Sequence, residues 1–82
     1  MKLKELSEKL IDELEIESIT EIHLDTDIIQ IEEWDSLNTL VLINFVKVNF
    51  DLDLTIDHIG DSLKLSQLIS FIENNSKHII EK

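Results

Sequence analysis

The stretch EEWDSLNTLVLINF, residues 32–45, changes from acidic to apolar at a single serine. Asp35-Ser36-Leu37 opens a segment that is apolar on nearly every side and runs to Phe50. Aspartate and serine commonly begin helices, because their side-chain oxygens accept hydrogen bonds from the free N–H groups of the first turn. The pattern therefore predicts a helix over 36–50, and helix capping alone would account for both residues.

The segments on either side of this helix also have helical periodicity. Before it, leucines spaced three and four residues apart predict a first helix over about 2–15 with one apolar stripe. After it, DLDLT at 51–55 is typical of a turn, and further apolar spacing predicts helices over about 56–62 and 65–75. The inward stripe of the last helix consists of Leu65, Leu68, Ile69 and Ile72.

Residues 16–35 are harder to interpret, because isoleucines recur there in a partly alternating pattern. β-Branched residues in alternation favour a strand. Polar interruptions, above all Asp25-Thr26-Asp27, favour a long loop that isoleucines pin to the core. We therefore predict an all-α fold with a long first loop, and we expect the ordered core to end at about residues 74–76, Asn-Asn-Ser.

Composition excludes several classes of function. The chain has 82 residues, enough for one small domain, and it lacks cysteine, which excludes disulfide frameworks, thiolate nucleophiles and cysteine metal sites. Gly60 is the only glycine, so glycine-rich phosphate loops are excluded as well. The formal net charge of −11 repels nucleic acid and anionic membranes and favours basic protein surfaces. No apolar run approaches the ~20 residues that span a bilayer, and the first residues are too charged for a secretory signal, so we expect a soluble cytoplasmic protein.

Two short motifs suggest chemistry that the rest of the chain does not support. Residues 60–63, GDSL, resemble the nucleophile motif of one esterase family, but such an enzyme needs a sheet, an oxyanion hole and an oriented histidine base. A calcium-loop pattern begins at Asp51, but isoleucine and serine stand where that loop requires glycine and glutamate. We predict neither catalysis nor a metal site. The side chains of the loop pattern are Asp51, Asp53, Thr55 and Asp57.

Over essentially its whole length the chain resembles the acyl carrier proteins. The shared features are an amphipathic first helix, a long loop, Asp35-Ser36-Leu37, a second helix ending at Phe50, the DLDLT turn, a short third helix and a last helix. The resemblance implies a small antiparallel four-helix bundle with three main helices and one short one. It also implies that Ser36 carries covalent 4′-phosphopantetheine from coenzyme A, whose terminal thiol holds acyl groups as thioesters. The chain would then be a non-catalytic, monomeric carrier.

The tripeptide Asp-Ser-Leu occurs twice, so the attachment point has to be chosen. Ser62 has a glycine before its tripeptide, as many family members do, but too few residues follow it to form the remaining helices. Ser36 is followed at once by a predicted helix of about four turns. A phosphodiester on Ser36 would lie at the positive end of that helix. Spacing therefore predicts Ser36 as the attachment point and Ser62 as a turn or capping residue.

The second helix departs from the family where fatty-acid carriers usually have glutamates. At 100° per residue, one side of this helix forms a predicted core face, which consists of Leu42, Phe45, Val46 and Phe50. The other side carries an outer strip, which consists of Leu37, Leu40, Val41 and Val48. The outer strip is either buried as well or exposed beside the arm, and a chain this short can hardly bury both sides. We therefore expect an exposed strip, ringed by acids that include Asp57, which binds partner proteins by apolar contact.

The resemblance also implies partners. A phosphopantetheinyl transferase, with coenzyme A and Mg²⁺, would modify Ser36 with the help of Asp35. Acyl-loading, elongating or acyl-transferring enzymes would then use the arm, in fatty-acid synthesis or in a related specialised acyl or polyketide pathway. Two alternatives stay open: an aminoacyl or peptidyl carrier, which usually has glycines near its serine, and an unmodified acidic module that covers a basic protein surface.

Overall fold

Helices make up the regular structure of the computed structural model, which describes residues 1–82. In chain order, α1 covers Leu3–Leu14, a single 3₁₀ turn covers Ile28–Gln30, α2 covers Ser36–Phe50, α3 covers Ile56–Ile59 and α4 covers Leu65–Asn75. No β-strand forms, and extended pairing is confined to two isolated bridges. The predicted all-α fold is therefore confirmed, and the strand considered for residues 16–35 is absent. None of the helices combines the length and the apolar character that a membrane crossing requires.

One apolar core joins the long helices and the loop between α1 and α2. α1 packs against α2, and the stripe predicted for each long helix turns inward. The fully or almost fully buried members are Leu6, Leu10 and Leu14 on α1, Leu42, Phe45, Val46 and Phe50 on α2, and Leu65, Leu68, Ile69 and Ile72 on α4. The loop adds Ile16, Ile22 and Ile28 to the same core, so isoleucines pin it as predicted.

Backbone hydrogen bonds tie the end of the loop to the segment that leads into α4. The Ile28 N–H donates to the Leu63 carbonyl at 2.8 Å, and the Leu65 N–H donates to the Thr26 carbonyl at 3.0 Å. Ser66 adds a bond from its N–H to the Leu24 carbonyl at 2.9 Å. These bonds give the backbone groups of the loop partners without a strand, although the alternation made a strand a possible alternative there.

The third helix is shorter than predicted. It was expected over about 56–62, but α3 ends at Ile59 because Gly60 takes a φ of 59° and a ψ of −143°, outside the helical region. The Gly60 N–H still closes the last turn on the Ile56 carbonyl at 2.9 Å. Beyond it, the Ser62 hydroxyl and the Leu63 N–H donate to the side chain of Asp27, which ties this segment to the first loop.

The packed core continues past the point where we expected it to end. α4 ends at Asn75, but Ile80 is only 3% exposed and belongs to the core. Backbone bonds hold this last segment to the start of the chain: the Leu3 N–H donates to the Glu81 carbonyl at 2.8 Å, and the Glu81 N–H donates to the Met1 carbonyl at 2.9 Å. The polar run at 74–76 therefore marks the end of a helix and not the end of the core.

Candidate functional site

Ser36 is the first residue of α2 and is exposed to solvent. The preceding Asp35 is the N-cap, and its Oδ1 accepts a hydrogen bond from the Asn38 N–H at 3.0 Å. The Asn38 Oδ1 accepts in return from the Asp35 N–H at 3.0 Å, which completes a reciprocal capping box. The capping interpretation therefore applies to Asp35, while Ser36 lies just inside the helix and takes no part in the cap.

Asn38 also fastens this end of α2 to α1. Its Nδ2 donates to the Leu14 carbonyl at 3.2 Å, and the side chain is only 9% exposed. Leu14 is the last residue of α1, so the amide supplies a partner to a carbonyl that the helix leaves free. Sequence reasoning missed this residue. The available signal was its position three residues after Asp35, since an amide at the third helical position commonly closes a capping box.

The first turn of α2 keeps unused hydrogen-bonding groups next to the Ser36 hydroxyl. Neither the Ser36 N–H nor the Leu37 N–H has an acceptor in the chain, and the hydroxyl makes no hydrogen bond. Such N–H groups lie at the positive end of the helix dipole and favour an anionic group beside them. The position thus offers an accessible hydroxyl with two free donors next to it.

Ser62, the serine of the second Asp-Ser-Leu, is also exposed, but its hydroxyl is engaged. It donates to Oδ2 of Asp27, while the Leu63 N–H donates to Oδ1 of the same carboxylate at 2.9 Å. These two bonds, the Ser62 bond foremost, hold the pKa of Asp27 below its usual value. The structure therefore gives Ser62 a structural contact and leaves the Ser36 hydroxyl free.

No protein-family model, curated protein or solved structure matches this chain. Any role assigned to Ser36 therefore rests on the sequence pattern and on the geometry around it.

Trp34 lies two residues before α2 and is hydrogen-bonded to it. Its indole Nε1 donates to Oγ1 of Thr39 at 2.9 Å, and its backbone N–H donates to the Ile31 carbonyl at 2.9 Å. The side chain is half-buried against the core. A tryptophan needs a partner for its N–H when it packs, and Thr39 provides one from one turn along the helix. Trp34 therefore braces the entry to α2 on the side of Thr39.

The outer strip of α2 is largely exposed. Leu37 is 66%, Leu40 58% and Val48 72% exposed, whereas Val41 is half-buried against the core. Three of the four residues predicted to line the strip thus present apolar surface to solvent. Asp57, predicted beside them, is exposed in the first turn of α3.

Lys47 is the only charged side chain within α2, and acids of the following turn surround it. Its Nζ lies 3.3 Å from Oδ1 of Asp51 and 3.4 Å from Oδ1 of Asp53. The hydrogen bond with Asp51 and the charge of Asp53 raise the pKa of Lys47. The structure has no group of three or more histidine, aspartate or glutamate side chains placed to hold a metal ion. Two of the acids in the calcium-loop pattern, Asp51 and Asp53, pair with Lys47.

A separate groove lies elsewhere on the molecule. It has a volume of about 760 Å³ between α1 and loop residues 20–25, with Leu3, Ile11, Ile22 and Leu24 as its apolar lining. Neither Asp35, Ser36 nor any residue of α2 lines it. The groove is therefore separate from the candidate site at the start of α2.

Proposed function

We propose that this chain is an acyl carrier, which holds acyl groups as thioesters on a 4′-phosphopantetheine arm attached to Ser36. The observation that supports this most directly is the contrast between the two serines. The Ser36 hydroxyl is exposed and unbonded beside two free N–H groups, whereas the Ser62 hydroxyl donates to Asp27. The sequence resemblance adds the reaction class, in fatty-acid synthesis or in a related specialised acyl or polyketide pathway.

The residues around Ser36 fit a covalently bound phosphodiester. The N–H groups of Ser36 and Leu37 are available to donate to its oxygens, and the positive end of α2 offsets its charge. Asp35 uses Oδ1 in the cap, so Oδ2 stays available to a metal ion whose other ligands come from a transferase and its substrate. That division of the carboxylate supports a role for Asp35 in attachment as well as in capping.

The attachment step requires little of the chain beyond an accessible nucleophile. Ser36 Oγ forms a bond to the pantetheine-bearing phosphorus of coenzyme A, its proton passes to a base of the transferase, and the bond to the adenosine-bearing phosphate breaks. The arm then supplies a terminal thiol that holds an acyl group as a thioester. Because the chain has no cysteine of its own, such a thiol would be the only one it carries.

Intact-mass measurement tests this proposal. The chain is incubated with coenzyme A, Mg²⁺ and a broad-specificity phosphopantetheinyl transferase, and Ser36→Ala and Ser62→Ala are treated in the same way. We expect one phosphopantetheine adduct on the natural chain and on Ser62→Ala, and none on Ser36→Ala. An adduct that persists in Ser36→Ala and disappears in Ser62→Ala would reverse the assignment.

One alternative has an observation in its favour. The exposed apolar side chains of the outer strip, on a chain with net charge −11, also suit an unmodified module that covers a basic protein surface. The same measurement separates the two, because this module would acquire no adduct under conditions that modify a known carrier protein in a parallel tube.

A further inference from the structure

The groove beside α1 continues along the whole helix. Its first part, of about 760 Å³, lies against Leu3, Ser7 and Ile11. A second hollow, of about 530 Å³, lies against Ile11 and Glu15, so the two parts meet at Ile11. Together they form the α1 trough, which follows the helix from Leu3 to Glu15 for about 18 Å and has loop residues 16–25 as its other wall.

The α1 trough has an apolar lining that comes from both walls. The loop is held against the helix by a hydrogen bond from Ser7 Oγ to the Ile22 carbonyl at 3.5 Å. The apolar lining residues also belong to the core or pack against it, so the trough is part of the folded structure. They are Leu3, Ile11, Ile16, Ile19, Ile22 and Leu24.

Acidic side chains border the α1 trough on both walls, and most of them have no cation beside them. Lys4 is the only lysine that lines the trough, and it makes no ion pair. Among the acids, only Glu21 has a basic partner, His23, at 3.6 Å. A complementary occupant therefore has an apolar face with positive charges at its edges. The acids are Glu8, Asp12, Glu15, Glu17, Glu21 and Asp25.

The charge and the backbone of the trough exclude several occupants. A second copy of this chain has no basic helix to offer, because α1 contains two lysines, α2 one and α4 none. Copies also repel each other through the net charge of −11, and an anionic membrane is repelled by the same acids. No strand borders the trough, so an extended peptide would find no sheet edge, whereas a helix satisfies its own backbone hydrogen bonds.

We propose that the α1 trough binds a basic amphipathic helix of a partner protein. The apolar side chains of that helix lie between α1 and the loop, and its lysines or arginines lie against the acids of the two walls. A length of about 18 Å accommodates about 12 helical residues, or three turns. Neither Asp35, Ser36 nor any residue of α2 lines the trough, so this site is independent of the proposed function.

Titration calorimetry with two synthetic peptides tests the apolar part of the proposal. Each peptide has about 14 residues and is titrated into the chain in about 0.15 M salt. The first peptide has leucines on one helical face and lysines on the other. The second has the same lysines, with serines in place of the leucines, so the two peptides differ in apolar surface and not in charge.

A pair of variants tests the position of the site. Glu8→Lys places a positive charge in the trough. Glu13→Lys is the matched control, since Glu13 is exposed on the same helix and does not line the trough. Both substitutions change the net charge equally, so an effect of overall charge would be the same in both. Thermal melting checks that each variant is folded, and amide NMR shifts of the natural chain locate the bound peptide.

We expect the leucine–lysine peptide to bind and the serine–lysine peptide to bind at least about tenfold more weakly. Glu8→Lys should weaken binding of the first peptide about fivefold, and Glu13→Lys should weaken it less than about twofold. The amide shifts should be concentrated in α1 and in residues 16–25.

Several results would overturn the proposal. They are an absence of binding, equal affinity for the two peptides, equal losses in the two variants, or amide shifts centred on α2. A peptide-free dimer with its contacts in the trough would make a second copy the occupant. If the neutral dye N-phenyl-1-naphthylamine bound there and the peptide did not, the trough would be a site for small apolar molecules. None of these results changes the adduct expected on Ser36, so the two proposals fail separately.

Discussion

Asp27 joins two segments of the chain that lie 36 residues apart. Its Oδ1 accepts from the Ile29 N–H at 3.2 Å and from the Leu63 N–H at 2.9 Å, and Oδ2 accepts from the Ser62 hydroxyl. All three donors bind the carboxylate better when it is charged, which lowers the pKa of Asp27 from its usual value of 3.8. A lowered folded-state pKa stabilises the fold above the unfolded-state pKa, and this contribution is lost as pH falls through the folded-state pKa.

We predict that Asp27→Asn lowers the melting temperature at pH 7, because the amide loses the charge that strengthens these bonds. The difference from the natural chain should shrink as pH falls below the usual aspartate range, since the natural carboxylate is then protonated too. Thermal melts across that pH range, followed by circular dichroism, measure both effects.

Asp25→Asn is the matched control, because Asp25 is exposed and its side chain makes no hydrogen bond. It should leave the melting temperature at pH 7 close to that of the natural chain. Equal melting curves for the two variants at pH 7 would show that Asp27 does not hold the loop.

At the scale of the helices, the buried amide of Asn38 connects α1 to α2. It takes part in the capping box with Asp35 and donates to the Leu14 carbonyl at 3.2 Å. Side-chain polar atoms that are fully buried all have hydrogen-bond partners in this structure. Removing this amide therefore leaves two backbone groups, the Leu14 carbonyl and the Asp35 N–H, without their present partner.

We predict that Asn38→Ala lowers the free energy of unfolding by about 1–3 kcal/mol, the usual cost of leaving buried polar groups unpaired. Urea denaturation followed by circular dichroism measures it. Asn44→Ala is the control on the same helix, since Asn44 is exposed and its side chain makes no hydrogen bond. Alanine has a higher helix propensity than asparagine at both positions, so propensity affects the two variants alike. An equal change in the free energy of unfolding for Asn38→Ala and Asn44→Ala would contradict a role for Asn38 in holding α2 to α1.

The sequence was sufficient to predict the long helices, because each has an apolar stripe whose members are local in the chain. The bounds of α2 and α4 are those expected, and α1 is one residue shorter than expected at each end. The end of α3 depends on the conformation of Gly60 and on the hydrogen bonds between Asp27 in the first loop and the segment after α3. Hydrophobic periodicity predicts neither. The 3₁₀ turn at Ile28–Gln30 is too short to have a period.

The site was predictable to a similar degree. Ser36 and Asp35 follow from a motif and its spacing, and the exposure of most of the outer strip follows from the size of the chain. The half-burial of Val41 and the engagement of the Ser62 hydroxyl by Asp27 depend on tertiary contacts. Sequence spacing favoured Ser36. Only the structure shows that the Ser62 hydroxyl already donates a hydrogen bond to Asp27.

At the scale of the whole molecule, the two ends of the chain lie side by side. An isolated parallel bridge pairs Lys2 with Glu81, and Ile80 beside it is 3% exposed. The polar residues at 74–76 predicted that the core ends there. The burial of Ile80 beyond them shows that the chain returns to the core. A domain of this size has few large side chains to lose, so each buried one contributes a sizeable part of its stability.

We predict that Ile80→Ala lowers the free energy of unfolding by about 2–5 kcal/mol, the range for truncating a buried isoleucine. Ile79→Ala should change it by no more than about 0.5 kcal/mol, because that side chain is 69% exposed. Urea denaturation of the two variants compares neighbouring residues of the same type. Similar losses in both, or none in either, would mean that this segment does not belong to the core.

The fastening of α2 by Asn38 has a mechanical consequence. With the first turn held to the end of α1 and capped by Asp35, the backbone at Ser36 acts as a fixed pivot for any group attached there. The reach of that group is then determined by its own length and flexibility, because the helix end does not move with it. Its effective concentration at a docked partner follows from how well this reach matches the distance to the partner's active site. Loosening the pivot would spread an attached group over a larger volume and lower its effective concentration at a docked partner.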